Sequence, residues 1–291
     1  MHTICQRYVK LKLGNLSNQT LTVLTQIRLL IQINNNRQAI DWASRLYQHV
    51  TLSLRLSPAA AAAFAALQIK APAKGFHVTS FPLWQLGCLL GETWLEEDVL
   101  NAMVELLYFR TSVTHNDSSF IYLPTSFFSD AKWLYDSSPR RYNSNMLDLR
   151  LRLSIRKATR IASMMWEDDH YSSTFYQCDG SYEHGDSLMR SPPANTANIF
   201  QWLLQGLDPM EYTQPSKLTA GQIGLQLLGG AGSCAVAAHS FVETKLDLSV
   251  PLWEAAESAH SRQDILHDLI IYQLAALDSM VCNVAAVLIA S

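Results

Sequence analysis

The chain has 291 residues, 48% of them hydrophobic, enough to bury a full core in one large domain or in one domain with a substantial extension. Lys and Arg total 22 against 25 Asp and Glu, a formal charge of -3, which leaves no bulk field to hold nucleic acid or an anionic membrane. The five cysteines (Cys5, Cys88, Cys178, Cys234 and Cys282) are odd in number, scattered and without a Cys-x-x-Cys pair, which argues against structural zinc or a disulfide scaffold and for a reducing compartment.

Met1 to Lys12 lacks the continuous apolar core and small-residue cleavage site of a secretory signal, so a nuclear or cytoplasmic address is expected. Leu21 to Ile33 and Ala39 to Leu56 read as two aliphatic helical stretches. Ser57 as cap, Pro58 in the first turn and the run Ala59 to Ala63 start another helix, which loses support near Pro72. Ala71-Pro-Ala-Lys-Gly75 has the composition of a linker, and a helical amino-terminal extension is assigned to residues 1–75. From Phe76 the texture changes, with Trp84, Trp94 and Trp133 appearing and Val99, Met103, Leu106 and Leu107 marking an amphipathic helix over Glu96 to Arg110.

Ile121 to Pro124 reads as a short strand, and the Leu/Arg alternation of Leu147 to Lys157 suits either a strand or a surface helix. Arg160 to Trp166 is strand-like and ends in the acidic turn Glu167-Asp168-Asp169, followed by His170. Ser173 to Cys178 and Ser181 to His184 are further strands around the turn Asp179-Gly180, and Asn195 caps a helix reaching Leu207. The glycine-rich loop Gly229 to Gly232 feeds a helix that begins near Cys234. Residues 76–268 form the main domain, and residues 269–291 an apolar carboxyl-terminal helix or tail. A membrane span needs about 20 apolar residues, and Asp278 interrupts this one, so no membrane is expected.

The most informative pattern is His170, then Asp186 sixteen positions later, then Cys234 forty-eight positions beyond that. A cysteine attacks carbonyl carbon as the thiolate, which needs a proton-accepting partner and positive potential. A helix amino terminus at Cys234 supplies the potential, His170 the partner, and Asp186 an acceptor that fixes the imidazole tautomer. An oxyanion needs two donors, and the Cys234 backbone N–H with an upstream glutamine suffices; Gln226 is the nearer candidate and Gln222 the fallback. Gly229-Gly-Ala-Gly232 lacks the Lys-Ser/Thr of a phosphate loop, and His184, His239, His260 and His267 lack zincin spacing, so neither cofactor nor metal is expected.

The segment from about Trp84 to Val242 resembles the ubiquitin-like-protein protease (Ulp) family, whose members remove SUMO or related modifiers and whose catalytic order is His, Asp, Gln, Cys. Trp94-Leu95-Glu96-Glu97 resembles that family's Trp-Leu-Asn-Asp motif, Asp186-Ser187-Leu188 matches its Asp-Ser-Leu, and Ser233-Cys234 resembles the surroundings of its nucleophile. The likeness is nearest to divergent fungal members, often linked to mobile elements. Glu97 stands for the motif's aspartate, Tyr171 for a channel tryptophan and Ala235 for the usual glycine, while Gln226 lies farther from the cysteine than is usual.

The resemblance implies an α+β, papain-like or adenain-like cysteine protease fold, a mixed central sheet flanked by helices. It implies hydrolysis of the peptide or isopeptide bond after the Gly-Gly tail of a SUMO-type modifier. His170, Asp186, Cys234 and Gln226 would be catalytic, and Trp94, Glu97 and Tyr171 would bind substrate, with Trp94 and Tyr171 walling a tunnel for the glycine tail. Trp94 also fits a buried anchor for the helix that follows it. Two other outcomes suit the same residues: a catalytically weakened domain that binds a ubiquitin-like protein or serves a mobile element, and a thiol peptidase with a different substrate.

Overall fold

The computed structural model describes residues 18–279 apart from 53–54, 68–69, 115–118, 139–140, 157, 210, 216–217 and 227–231. Cys5 and Cys282 lie outside the described residues. Helix α1 (Asn18–Leu52) runs unbroken where the sequence suggests two stretches. Asn34-Asn35-Asn36 contains neither glycine nor proline, and an asparagine costs a helix only about 0.7 kcal/mol relative to alanine. Helix α2 (Pro58–Ala65) starts as its sequence dictates, with Ser57 Oγ accepting the Ala60 N–H at 3.1 Å.

The amino-terminal helices join the main core instead of standing apart. Trp42, Leu46 and Val50 of α1 are buried in one apolar cluster with the 3-10 turn Leu83–Leu90. The approach is closest at Gly87, where a Cβ would lie 2.4 Å from the Trp42 carbonyl oxygen. The stretch expected to be a linker is tied down on both sides: Ala73 N–H donates to Phe81 O at 2.8 Å, Leu83 N–H to Ala71 O at 3.0 Å, and Lys74 N–H to Gln273 Oε1 at 2.7 Å. A boundary at residue 76 therefore marks a change of texture in the sequence and no gap in the packing.

Among the described residues five strands form one mixed sheet in the order β1-β2-β3-β4-β5: β1 (Phe120–Leu123), β2 (Arg160–Glu167), β3 (His170–Gln177), β4 (Tyr182–Gly185) and β5 (Thr219–Ala220). β1 runs parallel to β2, β2 to β4 are antiparallel hairpins, and β5 is parallel to β4. Because both faces are covered there, β1 to β4 are buried almost throughout, whereas the short edge strand β5 is exposed. Phe120, Tyr122, Ala162, Met164, Tyr171 and Phe175 face helices α3 (Glu97–Thr114), α7 (Ser233–Leu246) and α8 (Ser258–Ser279). Alternate residues Ile121, Leu123, Ile161, Met165, Tyr176 and Tyr182 face α4 (Thr125–Ser137), α5 (Ser144–Arg156) and α6 (Thr196–Leu204).

Three local expectations are refined. The Leu/Arg run is helix α5, whose period buries Met146, Leu149 and Leu153 and exposes Leu147, Leu151 and Ile155. Its Arg150 is used structurally, donating to Leu203 O at 2.6 Å and lying 4.6 Å from the Tyr142 ring centroid. Asn195 precedes α6 in a left-handed conformation, φ 65°, without capping it; Thr196 Oγ donates to Pro193 O instead. Helix α8 runs through residue 269, and Leu269, Ile270 and Tyr272 are core residues, so the expected tail begins no earlier than residue 280, outside the described residues. No described helix is long and apolar enough to cross a membrane.

His239, on the inner face of α7, is buried, and burial with the charge of Arg110 pushes its pKa down to about 4, against the pull of Asp268 and of its hydrogen bond to the Met103 backbone. A histidine held neutral in the fold favours folding above its unfolded value near 6.5, and that contribution fades as pH falls toward about 4. The urea midpoint is expected to decline across that window, with His239 supplying up to about 1.4 kcal/mol per pH unit, and His239→Leu should flatten the decline. An unchanged slope in the variant would assign the acid sensitivity elsewhere.

Candidate active site

The β2–β3 hairpin turns on Asp168 and Asp169, at φ 50° and 55°, a left-handed pair of the kind that short hairpin turns require and aspartate tolerates. This turn delivers His170 as the first residue of β3, paired with Glu167. The β3–β4 register sets Gly185 opposite Ser173, so the chain leaves β4 with Asp186 beside His170. His170 Nε2 lies 3.0 Å from Asp186 Oδ1, both side chains are buried, and the Leu188 N–H donates to the same oxygen at 2.7 Å.

Burial opposes ionisation of Asp186, but the hydrogen bonds from His170 and from the Leu188 N–H outweigh it and hold the carboxyl below its ordinary range. For His170, burial opposes protonation, while hydrogen bonds to Asp186 and Cys234 and the negative charge on both raise its pKa to about 9. With Nε2 turned to Asp186, Nδ1 is the nitrogen left for Cys234. The imidazole is thus held by a carboxylate, and Cys234 is among the groups that raise its pKa.

Cys234 is the second residue of α7, buried, behind Gly232 at φ +84°. That conformation favours glycine, and a Cβ there would also lie 2.2 Å from Thr93 O. Of the glycine cluster only Gly232 is among the described residues. Cys88 and Cys178 are also free thiols, and burial pushes Cys88 up to about 12, as suits an inert core residue. Gln226 is pinned to the residue after Asp186: its N–H donates to Ser187 O at 2.9 Å and its Oε1 accepts from Ser187 Oγ at 3.2 Å. Gln222 is exposed. Ala235 is fully buried in the core cluster.

Trp94 and Tyr171 meet as expected, but in contact. Their ring centroids are 5.5 Å apart at 31°, Tyr171 is buried with its hydroxyl donating to Leu95 O at 3.4 Å, and Trp94 is 37% exposed. A glycine backbone sandwiched between two rings needs about 7 Å between them, two contacts of about 3.5 Å, so no open tunnel runs between this pair. Trp94 is also no buried anchor. Glu97 accepts from Thr125 Oγ, and Asn101 Oδ1 accepts the Thr125 N–H at 3.1 Å, so both residues brace α3 against the start of α4.

Two residues near the triad candidates are absent from the sequence reading of the site. His184 sits two positions before Asp186, and its Nε2 is 3.9 Å from Asp186 Oδ2, with neither ring nitrogen hydrogen-bonded. Burial lowers its pKa, the nearby His170 adds to the effect and Asp186 opposes it. The available signal was the i, i+2 spacing on a strand, which puts both side chains on one face. The other is Arg262, the one Lys or Arg in α8. Among the described residues no group of three or more His, Cys, Asp or Glu side chains is arranged to hold a metal ion.

No protein-family model matches this chain, and no curated protein matches it either. Solved structures do. The yeast Ulp1 protease domain, determined in complex with Smt3, the yeast ortholog of SUMO, aligns at TM-score 0.55 and 13% identity over 74% of this chain and 94% of its own. The Ulp1-like SUMO protease catalytic domain of Chaetomium thermophilum aligns at 0.57 and 16% identity, covering 79% of this chain and 88% of its own. A de-sumoylating protease aligns at 0.52 and 12%, over 75% and 98%. Identities this low speak to architecture alone: the chain has the mixed α/β fold of Ulp1-type, adenain-like cysteine protease domains, a central mixed sheet flanked by helices.

Proposed function

We propose that this chain is a cysteine peptidase that hydrolyses the bond following the Gly-Gly tail of a SUMO-type ubiquitin-like modifier. The observation that carries the reading is the buried His170, bonded through Nε2 to Asp186 at 3.0 Å, with its pKa raised in part by Cys234 at the start of α7. His170 holds the proton drawn from Cys234 as an imidazolium before Sγ attacks the terminal glycine carbonyl. The oxyanion is held by the Cys234 backbone N–H and the carboxamide of Gln226, which Ser187 steadies.

The carbon–nitrogen bond then breaks, and His170 returns its proton to the departing amine, the Nζ of a lysine or the α-amine of a precursor peptide. Water attacks the thioester, His170 accepts its proton, and the carbon–sulfur bond breaks to release the modifier's carboxylate and the thiol. Asp186 keeps Nε2 protonated throughout. Because the Trp94 and Tyr171 rings are in contact, the tail binds by displacing the exposed Trp94 ring, and only residues without side chains fit beneath it. Selectivity for the whole modifier comes from a separate surface.

The test is reaction of the purified protein with a panel of ubiquitin-like modifiers bearing a thiol-reactive carboxyl-terminal warhead. An adduct on Cys234, lost in Cys234→Ala and His170→Ala, is the expected result and names the modifier. Adducts with short thiol-reactive peptides alone would favour a peptidase of other specificity. Modifier binding without any adduct would favour a non-catalytic binding domain.

A further inference from the structure

Arg262, on α8, is the largest fully buried side chain of the described residues and is 1% exposed. Its guanidinium donates to four backbone carbonyls: Nη1 to Cys88 O at 3.2 Å and Gly91 O at 2.6 Å, Nη2 to Thr93 O at 3.0 Å and Gly232 O at 2.6 Å. Thr93 immediately precedes Trp94, and Gly232 lies two residues before Cys234. One side chain therefore clamps the backbone in front of the aromatic pair to the backbone in front of the nucleophile. Only glycine permits the Gly232 approach, since a Cβ there would collide with Thr93 O.

All four carbonyl partners are neutral, and among the described residues no carboxylate pairs with the guanidinium. A buried cation held by carbonyl dipoles keeps its field, and a guanidinium stays charged through the working pH range. The groups that feel it are Glu92 and the thiols of Cys88 and Cys234, with Arg45 and His49 of α1 lining the groove beside it. Cys234 in turn faces His170 and Tyr171 from β3, and Asp186 through His170.

We infer that Arg262 is a positioning residue that sets the backbone ahead of Cys234 and supplies positive potential to its thiolate. The inference rests on Cys234 being the nucleophile proposed above and adds a cation from α8 to the helix terminus and His170. It requires no covalent step by Arg262 itself.

The experiment is alkylation of the full chain by iodoacetamide across a pH series, with mass spectrometry of the Cys234 peptide to separate it from Cys178. Arg262→Met and Arg262→Gln should slow Cys234 alkylation at pH 7 about tenfold and move its profile to higher pH, because the thiolate is the reacting form and loses a nearby cation. Arg262→Lys keeps the charge and should leave the profile in place. Arg262→Gln retains donors for the carbonyls, so it remains informative if Arg262→Met does not fold. A profile unchanged in a folded, uncharged variant overturns the inference, as does a profile in Arg262→Lys that moves as far as in Arg262→Gln. Alkylation needs no modifier, so failure here and failure of the deconjugation reading are told apart by the warhead panel.

Discussion

His170→Ala is expected to lower hydrolysis of a Gly-Gly-tailed modifier precursor by about a million-fold, the scale on which removing the base of a nucleophilic triad acts. The loss is that large because one imidazole takes the thiol proton and returns it to the leaving amine, so both halves of the cycle stop. Cys234→Ala should cost about as much, and the double variant little more than either, because residues acting as a unit are not additive.

Removing the ring also leaves Asp186 a buried carboxylate without its partner, a penalty of about 3 to 5 kcal/mol. His170→Gln, whose amide still donates to Asp186, is therefore the better-folded control and should be equally inactive. In the intact protein, activity should fall on the alkaline side as pH rises through about 9 and the imidazolium is lost. The stability that the raised pKa contributes is complete below 6.5 and fades through the same value. Steady-state rates with circular dichroism on each variant decide the matter. Residual activity within a hundred-fold of the parent would remove His170 from the chemistry.

Phe241→Ala should destabilise the protein by about 3 to 5 kcal/mol, the usual cost of emptying a buried aromatic site. Phe241, on α7, is 1% exposed and seated on two glycines. A Cβ at Gly185 would lie 2.4 Å from the ring Cγ, and one at Gly221 2.4 Å from Cε2. Ser173 Oγ donates to Ala238 O at 3.0 Å beside this contact. The ring sets the spacing between the helix led by Cys234 and the strand that ends just before Asp186, so the variant should lose activity beyond its loss of stability. Urea unfolding measures the first and rates at a temperature where the variant is folded measure the second. A cost under about 1 kcal/mol would mean that the two elements are held together elsewhere.

Much of the site was legible because its parts are local. His170 follows an acidic two-residue turn, Asp186 directly follows a strand, and Cys234 leads a helix behind a left-handed glycine. Each of these is written in a few consecutive residues. Trp94 and Tyr171 lie side by side in the fold, and whether such rings stand apart or touch depends on side-chain packing that no motif encodes. Glu97 shows the same limit: its motif position suggested substrate, whereas its hydrogen bond goes to Thr125, twenty-eight residues away.

The sequence by itself determined the mixed helix and strand order, the Ser57 cap, the hairpin turns and the order His, Asp, Cys, because hydrophobic period and turn chemistry act over short stretches of chain. Tertiary structure alone decided that Trp42 packs on Gly87, that the stretch at Ala71–Gly75 is pinned by Phe81 and Gln273, and that α8 continues past residue 269 as core. It alone gave Arg262 its place, because that side chain is satisfied by carbonyls from residues 88, 91, 93 and 232, up to 174 positions away. Every residue carries the same carbonyl, so only folding determines which of them converge on one buried charge.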